Sequence, residues 1–135
     1  DALSARISAL GLERRIRLLG RVDQAHRLMA AADIFLLTSD FEGTPNVVLE
    51  AMAAGAPCVA TRVDGVADLI EDGVSGVLAG RDAGELAAAV SKLAGNELAR
   101  RRIGHAARAA LESYPKPSEL VRRLWTLCEI ASAEQ

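Results

Sequence analysis

Apolar positions run in two rhythms along this chain. Leu3, Ile7 and Leu10 recur at helical spacing, and Gly11 follows as the residue that closes such a helix. Residues 16–20 (IRLLG) form a short apolar run ended by glycine and predict a strand. Residues 24–32 predict a short helix, and 33–39 (DIFLLTS) a second, strongly apolar strand. A helix over 45–54 (PNVVLEAMAA), a strand over 57–62 (PCVATR), a short helix near 66–71 and a strand over 76–80 (GVLAG) follow. The strand runs are continuously apolar rather than alternating, which implies burial on both faces, as in a parallel sheet covered by helices. Strand–helix alternation with short connections predicts a doubly wound α/β domain.

From Asp82 onward the pattern is helical throughout. Asp82 and Glu85 form a capping-box-like pair ahead of LAAAVSKLA. A second helix is predicted over 97–112, Pro115 and Pro117 break it, and a last helix spans about 118–132. Its stripe of Leu120, Leu124, Leu127 and Ile130, with Trp125 beside it, needs a partner. The expectation is one domain over 1–135, an α/β part (1–80) followed by a helical tail (81–135).

Composition narrows the function classes. Of 135 residues, half are hydrophobic and a quarter charged, which excludes whole-chain disorder. A chain of this length supports one core. The net charge of −2, with arginines dispersed among acids, disfavours a nucleic-acid partner, and so does the scarcity of aromatics: one Trp, one Tyr and two Phe. Arg100-Arg101-Arg102 and Arg122-Arg123 read as solvated faces, with an acidic or membrane partner as the sharper alternative. Cys58 lies in an apolar run and reads as a buried reduced thiol, far in sequence from Cys128. His26 and His105 stand alone, so neither a metal nor a cofactor is expected. No apolar run approaches the roughly 20 residues that span a bilayer.

The segment DFEGTPNVVLEAM (40–52) interrupts apolar sequence with two carboxylates, Glu42 and Glu50. Thr44 is the expected N-cap and Pro45 suits the first helical position, whose N–H has no partner anyway. Asn46 and Glu50, four apart, share one face of an otherwise apolar helix. The helix begins after the carboxyl end of strand 33–39, where open α/β sheets bind ligands. Free amides of Thr44, Asn46 and Val47 and the positive helix end favour an anion there. Carboxylates accept hydrogen bonds without donating, so each glutamate suits a diol. A phosphate flanked by two hydroxylated rings is a nucleotide-sugar.

Glu42, seven intervening residues and Glu50 resemble the E-x7-E motif of retaining GT-B glycosyltransferases, especially family 4. The resemblance extends through RIRLLGRV, ADIFLLTSDFEGTPNVVLEAMAAGAPCVATRVDGVADLIEDGVSGVLA and DAGELAAAV, and covers essentially the whole chain. It implies the nucleotide-binding C-terminal domain of such an enzyme, which transfers a hexosyl group from an NDP-sugar to a glycan or lipid acceptor without a metal. By that resemblance Glu50 holds the ribose hydroxyls and Glu42 hydroxyls of the donor sugar. Main-chain groups around Gly43, Thr44, Asn46 and Val47 meet the sugar and distal phosphate, and Arg21 and Val22 border the nucleobase. Thr44 stands where family members often carry a bulkier residue. Some members place the loop at Val63-Asp64-Gly65 near the substrate, although Asp64-Gly65 and Asp72-Gly73 read most simply as turns.

The same resemblance implies that this is a partial Rossmann-like sheet lacking its first two strands, with their Arg/Lys loop for the diphosphate and the acceptor-binding N-terminal domain also absent. The 135 residues alone are then expected to be inactive, and a gap is expected beside strand 16–20, closed by a swapped or non-native homo-oligomer. The expected location is cytoplasmic, with membrane association an option for a full-length parent. The alternative reading is a non-catalytic nucleotide-sugar-binding or oligomerisation module; a sugar-nucleotide epimerase on the same architecture is a more distant one.

Overall fold

A continuously apolar strand needs cover on both faces, and three of the four expected strands find it. The computed structural model describes residues 2–114 and Glu119. The expected last helix, with Leu120, Leu124, Trp125, Leu127 and Ile130, lies outside the described residues, as do Arg122, Arg123 and Cys128. In chain order the elements are α1 (Ala2–Ala9), α2 (Ala25–Ala31), β1 (Phe35–Leu37), α3 (Asn46–Ala54), β2 (Cys58–Thr61), α4 (Asp64–Ala67), β3 (Val77–Ala79), α5 (Ala83–Ala94) and α6 (Glu97–Glu112).

The sheet is parallel, in the order β1-β2-β3. Phe35 pairs with Cys58 and Val59 with Val77. Central β2 is buried at every position. Its alternate side chains enter two cores. Cys58 and Ala60 join Val48, Met52, Val63, Val66, Ile70, Leu78 and Ala107 under α3 and α4. Val59 joins Ala79, Leu86, Leu93 and Ile103 under α5 and α6. Helix α6 therefore contributes to both cores, and the segment after Asp82 supplies the second cover of the sheet. Full burial of each such aliphatic side chain is worth roughly 1.5–3 kcal/mol. This is an α/β, partial doubly wound parallel sheet, as the apolar runs predict.

The fourth expected strand is absent. Residues 16–20 have no ladder partner, and Ile16, Leu18 and Leu19 are 41%, 46% and 57% exposed. An apolar run becomes a strand only where its backbone groups find a neighbouring strand and its side chains a cover. The described residues offer this segment neither. Among the described residues the sheet therefore ends at β1 on one side and β3 on the other; the β1 edge, which faces the expected gap, is open, and Leu36 on it is 45% exposed.

Local signals fared better. Gly11, with φ of 64°, follows α1 as the closing residue. Asp82 caps α5, its Oδ1 accepting from the amides of Gly84 at 2.8 Å and Glu85 at 3.2 Å. Glu85 reaches back past the cap, its Oε2 accepting from the amide of Gly80 at 2.9 Å, so it ties the end of β3 to the helix start. The Arg100–Arg102 run is not simply a solvated face. The Arg100 side chain is only 17% exposed, donates to the carbonyls of Leu93 and Ala94 at the end of α5, and lies 3.7 Å from Asp33. Arg102 donates to the Gly73 carbonyl, while Arg101 pairs with Glu97 one turn earlier.

Candidate functional site

The carboxyl ends of β1, β2 and β3 carry the loops that matter. Residues 38–45 leave β1 and lead into α3, whose N-cap is Pro45 rather than Thr44, with no side-chain cap. The cause is geometric: Pro45 is already extended (φ −75°, ψ 100°), and its carbonyl accepts from the Val48 amide at 2.9 Å. The helix starts one residue later than expected. The amides of Asn46 and Val47 have no backbone acceptor among the described residues, and they point out of a helix end whose dipole favours an anion by about 0.3–1 kcal/mol when exposed.

Glu42 and Glu50 line two different cavities. Glu50 lies on the exposed face of α3 and borders a cavity of about 730 Å³ with Val22, Gln24, Ala25, His26, Ala30, Ala53 and Ala54. Glu42, half-buried, borders a second cavity of about 490 Å³ with Asp40, Phe41, Gly43, Arg62, Val63, Asp64 and Arg81. The segment Thr44–Val47 joins the two along the chain and lines neither. Its residues Thr44, Asn46 and Val47 are exposed. Val22 is brought to the Glu50 cavity, whereas the Arg21 side chain is 95% exposed and 4.0 Å from equally exposed Asp23. His26 is exposed yet lines this same cavity.

The loop bearing Glu42 is held by a contact that sequence reading treated as ordinary turn punctuation. The Gly65 amide donates to the Glu42 carbonyl at 3.3 Å, and a Cβ at Gly65 would overlap the Gly43 carbonyl. Only glycine admits the loop this close. Neighbouring groups stiffen the floor: Thr61 Oγ1 donates to the Ser39 carbonyl, and Arg62 pairs with Asp72. Arg81 stacks over Phe41 at 5.2 Å from the ring centroid, beside Glu42. A hydrogen bond from the Leu78 amide, and then the Arg62 guanidinium, holds the Asp72 carboxyl below the usual carboxylate range. Cys58, buried in the sheet, has its thiol pushed up to about 12 by burial; the reading of it as a buried thiol holds.

Among the described residues no three His, Cys, Asp or Glu side chains gather as metal ligands. No described helix is long and apolar enough to cross a membrane.

A parallel sheet with helices on both faces and a cavity at the carboxyl end of its strands is the α/β arrangement of a partial Rossmann-like domain, as in solved GT-B glycosyltransferases. Residues 1–96 match the family of glycosyl transferases group 1, and the chain belongs to that family. It is 34% identical over 123 residues to N-acetyl-alpha-D-glucosaminyl L-malate synthase of Bacillus anthracis, covering 90% of this chain and 32% of that protein. Against the amylovoran biosynthesis glycosyltransferase AmsK of Erwinia amylovora it is 38% identical over 129 residues, covering 84% and 32%. The chain thus spans about a third of the length of these relatives. Among solved structures, Anabaena HepE in complex with UDP superposes with a TM-score of 0.80 at 32% identity, over 98% of this chain and 36% of that one.

Proposed function

We propose that this chain is the donor-binding part of a retaining, metal-independent family 4 glycosyltransferase that moves a hexosyl group from a nucleoside-diphosphate sugar to a glycan or lipid acceptor. One observation carries the reading: a helix start with two unpartnered amides joins two cavities along the chain, one bordered by Glu50 and the other by Glu42 together with Asp40 and Asp64. In the proposed pose the ribose diol donates to Glu50 and the donor-sugar hydroxyls donate to Glu42. The distal phosphate accepts from the amides of Asn46 and Val47, and the main chain of Arg21 and Val22 borders the base. Gly43 and Thr44 flank the sugar. HepE structures are described with UDP and, at 30% identity, with UDP-glucose, which supports a uridine donor here.

During transfer the bond from sugar C1 to the diphosphate oxygen breaks and a bond to the acceptor oxygen forms, the acceptor proton leaving with the diphosphate. Electrostatic stabilisation of that leaving group is worth several kcal/mol in such sites, and we propose that it comes from a cationic loop in an acceptor-bearing parent. The 135 residues alone are proposed to bind donor near millimolar, about 4 kcal/mol, without turnover, in the cytoplasm. Calorimetry against UDP-, GDP- and ADP-sugars tests the reading. Charge-assisted hydrogen bonds contribute about 1.5–3 kcal/mol, so Glu50→Gln should weaken the preferred donor roughly ten- to a hundredfold; an unchanged affinity would refute the ribose contact.

The exposed edge of β1 favours a partner reading as well. We propose that it pairs with a further strand, from the parent or from a second copy of this chain, because an open parallel edge leaves backbone donors and acceptors without partners.

A further inference from the structure

We propose that the Arg62–Asp72 pair closes the outer edge of β3 to strand addition, so that a second copy of this chain can pair with the sheet only at β1, where association ends at a dimer. The inference rests on the reading of the β1 edge as a strand-pairing surface.

In a strand, successive residues turn their backbone groups to opposite sides. Phe35 donates its amide to the Pro57 carbonyl at 2.8 Å, so Phe35 and Leu37 face β2 and Leu36 faces outward. The amide and carbonyl of Leu36 meet no partner among the described residues. β3 has the same geometry and the opposite outcome. The Ala79 carbonyl accepts from the Arg62 amide at 2.8 Å, so Val77 and Ala79 face β2 and Leu78 faces outward. Yet the Leu78 amide donates to Asp72 Oδ1 at 2.9 Å, and the Leu78 carbonyl accepts from Arg62 Nη2 at 3.5 Å. The other carboxylate oxygen of Asp72 pairs with that same guanidinium.

Donor and acceptor of the outward residue are thus both engaged, by side chains that also hold each other. An incoming strand would have to displace two charged groups and separate them. Charge placed along an edge is one means by which sheets avoid pairing edge to edge.

The consequence concerns closure. β1 against β1 of a second copy, about a two-fold axis, uses one edge of each chain and ends at two chains. β1 of one copy against β3 of the next is head to tail. Each such addition leaves a free edge at both ends, so it propagates without closing. With Leu78 engaged, that second mode has no strand to add to.

Light scattering over a concentration series tests this on three chains: wild type, Asp72→Ala, which frees the Leu78 amide, and Asp72→Asn, which keeps an oxygen acceptor for it. The wild-type mass should level off at twice the 14.2 kDa of the chain. Asp72→Ala should pass that value and keep rising, with Asp72→Asn between the two. A wild-type mass that itself climbs past a dimer overturns the proposal. So does an Asp72→Ala chain that is folded by circular dichroism and levels off with wild type. If wild type stays monomeric while Asp72→Ala associates, the closed β3 edge stands and the β1 reading fails on its own ground; if both stay monomeric, both fall. Should Asp72→Ala not fold, hydrogen exchange of the dilute wild-type chain decides. The Leu78 amide should exchange at least about tenfold more slowly than the Leu36 amide, and equal rates would overturn the proposal.

Discussion

Gly65 has no side chain, yet it decides where a glutamate stands. Its amide hydrogen-bonds the Glu42 carbonyl, and its missing Cβ leaves room for the Gly43 peptide. Gly65→Ala should push the 40–45 loop away from α4 while leaving the Glu50 cavity untouched. Isothermal titration is expected to show UDP-glucose weakened about tenfold and UDP alone nearly unchanged; equal losses would disconnect Gly65 from the sugar end. The overpacking should also cost about 1–3 kcal/mol of stability. Cys58 illustrates the opposite case, a reactive atom made inert by its surroundings. With its thiol pushed up to about 12, almost no thiolate exists at neutral pH. Peptide mapping after iodoacetamide treatment of the native chain at pH 8 should find Cys58 unmodified, and modification only after denaturation. Cys58 was legible from its apolar neighbours in sequence. The resemblance placed the Val63-Asp64-Gly65 loop near the substrate, but the Gly65 contact was not legible, because its partner lies over twenty residues away and contributes only backbone.

At the scale of elements, the ends of β2 and β3 are tied by charge. Asp72 accepts from the Leu78 amide at 2.9 Å and pairs with Arg62. Its carboxyl is held below the ordinary range, first by the amide and then by Arg62. A depressed folded value means that the unfolded chain binds a proton at higher pH than the folded one. The stabilisation is therefore fully present above the unfolded value, near 4, and is lost as pH falls through the folded one. Thermal midpoints should show Asp72→Asn less stable than wild type at pH 7, with the difference shrinking as pH falls below the unfolded value. A constant difference across that range would refute the linkage. Helix ends show how far local patterns carry. Asp82 caps α5 as its sequence predicts, and α6 spans the expected residues, because those signals act within one turn. The start of α3 shifted by one residue, since Pro45 already has an extended backbone and leaves Thr44 outside.

The whole molecule is organised around an incomplete sheet. Cover is complete on both faces of β2, but among the described residues β1 and β3 are unpaired on their outer sides, and Leu36 is exposed on β1. The proposal that this edge recruits a strand predicts concentration-dependent association. Size-exclusion chromatography with light scattering should show mass rising with loading concentration, and a concentration-independent monomer would count against pairing with a second copy. Replacing Leu36 with Lys, a device by which exposed edges avoid pairing, should shift the population towards monomer.

Sequence by itself determined the parallel α/β class, the Asp82 cap of α5 and the segment carrying both glutamates, because unbroken apolar runs, cap residues and motif spacing are local properties. Tertiary structure alone decided that residues 16–20 are no strand, that Glu42 and Glu50 face separate cavities, that Gly65 abuts the Glu42 loop and that Gln24 lines the Glu50 cavity. Those outcomes depend on which distant backbone lies alongside, and a linear pattern of apolar and polar positions does not encode that.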